Sequence, residues 1–333
     1  MKPVSVAQVF TFLTAVFFCV IVNADTSATQ AWLMKIQSAN KQQNYIGTFI
    51  YRHDAHLETM RIVHRARPGK VLERIVSLNG SAREVIRDNR IERIYMPDKN
   101  IIQVNPRTKN ENEFPALLTR SMENFRNHYH VMLGGEGRIA DRMAQMVIIK
   151  PRDEYRYGYR LWADKKTGLL LKADLVNMKG QSLEQYMFTN IRIGIVIPAT
   201  MLRPRMSTRG VKIKRQNAHE NTPVADMIWL VRNFPEGFRL SAKMLGICPA
   251  HKTPVHHLVY TDGLAAVSIF IEKAGKNRKV IKGLNQMGAI HAYGKMLNGY
   301  QITVVGQVPA DTVRQFAKSI FSSQIARSPV PVR

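Results

Sequence analysis

Tyr155, Tyr157, Tyr159 and Leu161 alternate with Arg156, Gly158, Arg160 and Trp162. A period of two belongs to a strand whose two faces meet different surroundings, and a helix cannot carry it. The same period appears in Tyr45–Tyr51, where Tyr45, Gly47, Phe49 and Tyr51 share one face. Strand-like runs follow at Leu57–His64, Val71–Leu78, Arg83–Arg87, Arg90–Met96 and Asn100–Val104, with Asp88-Asn89 as a tight turn. Short strands joined by turn residues, with few helices between them, predict an antiparallel meander. After residue 162 the turns at Asp164–Gly168 and Met178–Gly180 set off two more strands, Leu169–Val176 and Ser182–Phe188. One large sheet with helices against one face is the simplest arrangement.

Two helices are expected around this sheet. Trp32, Leu33, Ile36 and Ala39 make one apolar stripe, with Thr26 or Ser27 as the cap. Phe114–Phe125 makes another, with Pro115 in the first turn and Leu118, Met122 and Phe125 on one side. Gly134-Gly135-Glu136-Gly137 has no obvious helix after it and is expected to connect two strands.

The N-terminus sets the compartment. Met1-Lys2 is followed by an uncharged apolar run, Val9–Val22, and then by Val22-Asn23-Ala24 before Asp25. A basic start, a short apolar core and a small-residue exit make a secretory signal, with cleavage expected after Ala24. The run is shorter than the ~20 residues that cross a bilayer. Export to the periplasm would leave Cys248 as the one cysteine, unable to close a disulfide within the chain.

Lys and Arg number 49 against 24 Asp and Glu, for a net charge of +25. Such a surplus favours anionic partners. Export argues against nucleic acid and leaves acidic protein segments or lipid phosphates, unless the basicity is a general habit of the source organism's proteins. The surplus is densest in 201–219, where Arg203, Arg205, Arg209, Lys212, Lys214 and Arg215 occur without an acid. This stretch reads as a basic connection between domains, beginning or ending in strand. Beyond it, Phe234–Phe238 and Tyr260–Leu264 are turns, and Val267–Ile271 and Gln301–Gly306 are strands. A closing helix follows Pro309, with Val313, Phe316, Ala317, Ile320 and Phe321 on its stripe. The expected division is a signal at 1–24, a large β domain at 25–200, the connection at 201–219, a smaller domain at 220–325 and a tail at 326–333.

No catalytic constellation stands out. The chain has no phosphate loop, no His-Glu-x-x-His and no Gly-x-Ser-x-Gly. His251, His256 and His257 cluster, and His128 and His130 sit two apart. Prolines and Lys252 surround the first group without a carboxylate, so these are expected to be exposed loop histidines rather than metal ligands. Cys248 with those histidines could form a nucleophile and base, but between Ile247 and Pro249 a buried small side chain is the simpler reading. Neither catalytic residue, metal nor cofactor is expected. The aromatic set Phe49, Tyr51, Tyr95, Tyr157, Tyr159 and Trp162, with Leu171, is either an ordinary sheet core or the wall of an acyl-chain pocket on a curved sheet.

Several segments together resemble one family. Arg138–Arg142, Tyr157–Asp164, Lys172–Leu175, Leu183–Gln185 and Arg83–Val85 are similar to the RseB/MucB family, as are Pro235–Phe238, Tyr260–Leu264 and Val304–Pro309. The likeness runs from about residue 30 to about residue 321. It implies a fold of the α+β class, mainly antiparallel β: a large half-open β-barrel like those of the carriers LolA and LolB, with helices, plus a smaller α/β C-terminal domain. It also implies a periplasmic negative regulator of the sigma-E type envelope-stress response. Such a regulator binds the periplasmic segment of a membrane anti-sigma factor, shields it from the site-1 protease, and is released by lipopolysaccharide or a related lipid. On that basis Phe49, Tyr51, Tyr95, Tyr157, Tyr159, Trp162 and Leu171 are candidates for acyl chains. Arg203, Arg205, Arg209, Lys212, Lys214 and Arg215 are candidates for acidic protein or lipid phosphate. A homodimer is compatible with this reading, and a lipid or lipoprotein carrier of the LolA/LolB type is the rival.

Overall fold

The computed structural model describes residues 21–107, 127–205, 210–215, 229–247, 253–275 and 281–322. The helix expected at Phe114–Phe125 lies outside them, as do Arg209, Cys248 and His251.

The chain enters through a helix, α1 (Ile21–Gln42). It begins before the expected cap at Thr26 or Ser27 and spans the expected cleavage position. Six strands follow as a meander: β1 (Tyr45–His53), β2 (His56–Arg67), β3 (Lys70–Ser77), β4 (Glu84–Arg87), β5 (Ile91–Met96) and β6 (Ile101–Pro106). Asp88 closes the β4–β5 turn, its carboxylate accepting from the backbone N–H groups of Arg90 and Ile91. A second run holds β7 (Tyr129–Ile139), β8 (Arg142–Pro151), β9 (Gly158–Asp164), β10 (Leu170–Val176) and β11 (Ser182–Ile193).

β1 pairs with β11, which joins both runs into one sheet. With β12 (Lys212–Arg215) it has twelve strands in the order β12-β6-β5-β4-β3-β2-β1-β11-β10-β9-β8-β7. All neighbours are antiparallel except β12, which lies parallel to β6. The sheet does not close. Instead it curls so that β7 comes back against β11, and α1 lies in the concavity, touching β2 on one side and β7 and β8 on the other.

The glycine run differs from its expectation. Gly134–Gly137 lies inside β7, at a bulge between Leu133 and Glu136. The actual turn is Ala140-Asp141, both at positive φ. An extra residue and missing side chains let the strand bend at this point.

The second domain has its own antiparallel sheet, built from β14 (Arg239–Ile247), β15 (Pro254–Thr261), β16 (Ala266–Lys273), β17 (Gly283–Met287), β18 (Ile290–Leu297) and β19 (Tyr300–Gly306). Their order is β14-β15-β16-β19-β18-β17. The helix α2 (Ala310–Lys318) packs on β18 and β19 through Val313, Phe316 and Ala317. The closing helix is shorter than its stripe suggested. It ends at Lys318, and Ile320–Ser322 form β20, which pairs with β13 (Trp229–Val231). His256 and His257 lie in β15 rather than in a loop. Alternating Leu258 and Tyr260 carry that strand's buried face, so the histidines at its start are drawn into the sheet.

Candidate functional site

Three regions hold the residues that the sequence marks out. The first is the concave face of the large sheet. Register places Tyr45, Phe49 and Tyr51 of β1 opposite Ile193, Phe188 and Tyr186 of β11. Phe49, Tyr186 and Phe188 pack edge to face, with ring centroids 5.7–5.8 Å apart. Tyr159, Leu161 and Leu171 extend this surface across β9 and β10. Leu33, Ile36 and Ala39 of α1 cover it from above. Each such large apolar side chain removed from water contributes about 1.5–3 kcal/mol, so the face is a core before it is anything else.

Tyr51 and Tyr157 keep polar ends at its border. The Tyr51 hydroxyl donates to Glu184 Oε2 at 2.8 Å. Burial, aided by that carboxylate, raises the Tyr51 pKa well above the phenol range. Burial chiefly pushes Tyr157 up to about 12. Both therefore remain neutral hydroxyls.

Two of the seven aromatic and aliphatic candidates stand on other rows of the sheet. Tyr95 stands opposite Glu84 and Ile102, and that row continues through Val76 and Arg61 onto the convex face. Trp162 stands opposite Lys172 and Met146, with the Lys172 ammonium 4.2 Å from its ring. Phe49, Tyr51, Tyr157, Tyr159 and Leu171 are brought together, Trp162 packs against the same cluster, and Tyr95 is not part of it.

The second region is the joint between the domains, built around Arg156. This side chain is fully buried. Its Nε donates to Asp153 Oδ1 at 2.9 Å, Nη1 to Asp262 Oδ2 at 2.9 Å, and Nη2 to the Glu236 carbonyl at 2.6 Å. The guanidinium lies between the Tyr129 and Phe238 rings, 5.6 and 5.1 Å from their centroids. Tyr129 also donates its hydroxyl to Asp262 Oδ2 at 2.8 Å. Burial, and next the Asp262 carboxylate, hold that hydroxyl well above its ordinary pKa, which keeps it a donor. The other Asp262 oxygen accepts from the Leu264 and Ala265 N–H groups.

Around this pair, Thr312 donates to the Tyr155 carbonyl at 2.7 Å. The Tyr157 hydroxyl lies 3.4 Å from His291 Nδ1. Leu264 and Ala289 of the second domain pack into the core of the first. Gly237 sits at φ +85°, where an added Cβ would fall 2.3 Å from the His128 ring. Sequence reasoning missed this joint. Its one visible trace was a cation, Arg156, inside a run of tyrosines, together with the Asp-Gly turn at 262–263.

The third region is the connection. Residues 195–205 strap across the convex face, where Ile195, Ile197 and Leu202 pack against Ile46, Val63 and Leu72. The Arg205 N–H donates to Glu84, which Arg74 also grips. Then Lys212–Arg215 join the sheet as β12 with all four side chains exposed. Arg203, Arg205, Lys212, Lys214 and Arg215 are thus displayed along one edge of the sheet and its strap.

Of the thiol and histidine cluster, His256 and His257 are the members that lie among the described residues. His257 stacks on Phe270 at 4.2 Å and meets Ser268 Oγ at 3.1 Å. Burial lowers the His256 pKa. Among the described residues no group of three His, Cys, Asp or Glu could hold a metal ion, and no helix is long and apolar enough to cross a membrane.

Known proteins share this arrangement. Models of the MucB/RseB N-terminal and C-terminal domains match residues 28–206 and 223–321. The sigma factor AlgU regulatory protein MucB of Pseudomonas aeruginosa is 33% identical, over 88% of this chain and 92% of that protein. The sigma-E factor regulatory protein RseB of Escherichia coli is 25% identical, over 89% and 91%. A solved complex of P. aeruginosa MucA and MucB superposes with a TM-score of 0.70 at 29% identity, covering 89% of this chain and 99% of that one. A crystal structure of MucB with MucA(peri) gives 0.68 at 28%, covering 88% and 98%. With both domain models matched in order along one chain, this protein belongs to the MucB/RseB family.

Proposed function

We propose that this protein is a periplasmic regulator that holds the periplasmic segment of a membrane anti-sigma factor. In this reading it shields that segment from site-1 proteolysis and releases it when a lipid such as lipopolysaccharide binds. The observation that carries the reading is the likeness to MucB solved with MucA(peri), over 88% of this chain. The secretory signal at residues 1–24 supports the compartment, and the regulatory names of the relatives speak for binding rather than catalysis.

The geometry adds a mechanism. The concave face is filled by α1 and by Leu264 and Ala289 of the second domain. An acyl chain entering there competes with those residues, so it favours a different placement of helix or domain. A ligand shifts an equilibrium only through such differential affinity. The exposed cations of the connection would hold acidic stretches of the partner by charge-assisted hydrogen bonds. A simple lipid carrier would need only the first sheet, and the buried Arg156–Asp262 joint favours the regulator over it.

The test is capture of the anti-sigma factor's periplasmic segment by the purified protein. Arg203, Arg205 and Arg209 are then changed together to glutamine, and capture and lipopolysaccharide binding are measured. Weaker binding of either is expected. Unchanged affinities for both would remove the connection from the site, and no capture by the unaltered protein would sink the regulator reading.

A further inference from the structure

The strap across the convex face leaves space beneath it. Between residues 201–205, strands β1–β4 and the turn at Pro97 lies a cavity of about 500 Å³, within the range of small-molecule sites. Its apolar walls are Ile46, Val63, Val76, Leu78 and Met201. Four arginines line it, Arg61, Arg74, Arg83 and Arg205, against one acidic residue, Glu84.

That carboxylate is already committed to Arg74 and to the Arg205 backbone N–H. Arg83 reaches Glu58 in a pair that is substantially exposed, and such pairs are weak. Arg61 has no ion pair with any described residue. The cavity therefore holds positive charge that its own acid does not balance, beside an apolar wall. The concave face has the opposite character, with buried phenols and aliphatic groups.

We propose that this cavity binds an amphiphilic phosphate, with its oxyanion on Arg61 and neighbouring guanidiniums and the first part of an apolar tail along Val63, Val76 and Met201. Guanidinium forks match phosphate oxygens, and several can share one dianion. The site takes its regulatory meaning from the lipid half of the proposed function. Because Met201 and Arg205 begin the connection, a ligand here touches the segment that leads to the second domain.

Calorimetric titration of the purified protein with dihexanoyl phosphatidate, kept below its micelle concentration, tests the site. Dihexanoyl phosphatidylcholine and inorganic phosphate are parallel arms. One saturable phosphatidate site is expected, with both comparison ligands at least about tenfold weaker. Arg61→Ala should weaken phosphatidate about tenfold, the loss of one charge-assisted contact. Ala82→Trp, which fills the mouth without changing charge, should abolish binding while the unfolding temperature stays put. Unchanged binding in both variants overturns the site. Inorganic phosphate binding as tightly as phosphatidate overturns its apolar half. Capture of the anti-sigma segment is read in the same variants without lipid. Its failure in the unaltered protein would count against the regulator reading and leave the titration result standing.

Discussion

Arg156 and Asp262 can be tested as a pair with a double-mutant cycle. Arg156→Met removes the cation while keeping much of its aliphatic volume between Tyr129 and Phe238. Three hydrogen bonds disappear, and the buried Asp262 oxygen keeps only the Tyr129 hydroxyl as a donor. Breaking one side of a buried ion pair costs about 3–5 kcal/mol. Asp262→Asn is milder, because the amide oxygen still accepts from Leu264 and Ala265; about 2–3 kcal/mol is expected. In the double variant a neutral amide no longer faces a stranded guanidinium, so the loss should stay near that of Arg156→Met alone. The coupling energy is then about 2 kcal/mol. Urea unfolding followed by tryptophan fluorescence measures all four proteins, and small-angle scattering shows whether the domains part in the native state. Each sheet has its own core, so Arg156→Met should split one transition into two and raise the radius of gyration. Additive losses, or an unsplit transition displaced by less than about 1 kcal/mol, would refute the view that this pair holds the domains together.

Three further outcomes follow, one from a buried carboxylate and two from glycines. Burial alone would raise the Glu73 pKa, but the His64 hydrogen bond and the Arg87 charge outweigh it and hold the group below 4.5. A depressed folded-state pKa means stability that is present above about pH 4.5 and lost as pH falls through the folded value; Glu73→Gln should flatten that acid limb in a pH series of urea midpoints. Gly237→Ala combines a left-handed backbone with a Cβ against the His128 ring and should cost about 1–3 kcal/mol in thermal unfolding. Gly80→Ala, at φ +68° with open space around it, should cost about 1–2 kcal/mol.

The meander of β1–β6 was readable because Tyr45–Tyr51 and its successors alternate and end at clear turns such as Asp88-Asn89. β7 and β8 were obscured because Gly134 and Gly135 resemble a turn and the bulge interrupts the alternation. Tyr95 parted from the aromatic set for a different reason. Which face a residue takes depends on register carried strand by strand, and Tyr95 lies five strands along the sheet from β11. Local alternation cannot carry that information, since a slip of one residue reverses every side chain. The joint was hidden because Arg156 and Asp262 are 106 residues apart. Each looks ordinary until the fold brings a cation into a cage of two rings.

The connection has one more consequence, for the open edge of the large sheet. β12 adds to β6, so the meander's outer edge is covered by the very residues that lead to the next domain. Lys212, Lys214 and Arg215 then make the new edge strand of the described sheet cationic and short. Charged, short edges resist the strand-to-strand stacking that long bare ones invite. A redesign that shortened this stretch to bring the domains closer would strip that cover from β6, and aggregation could follow even with both cores intact.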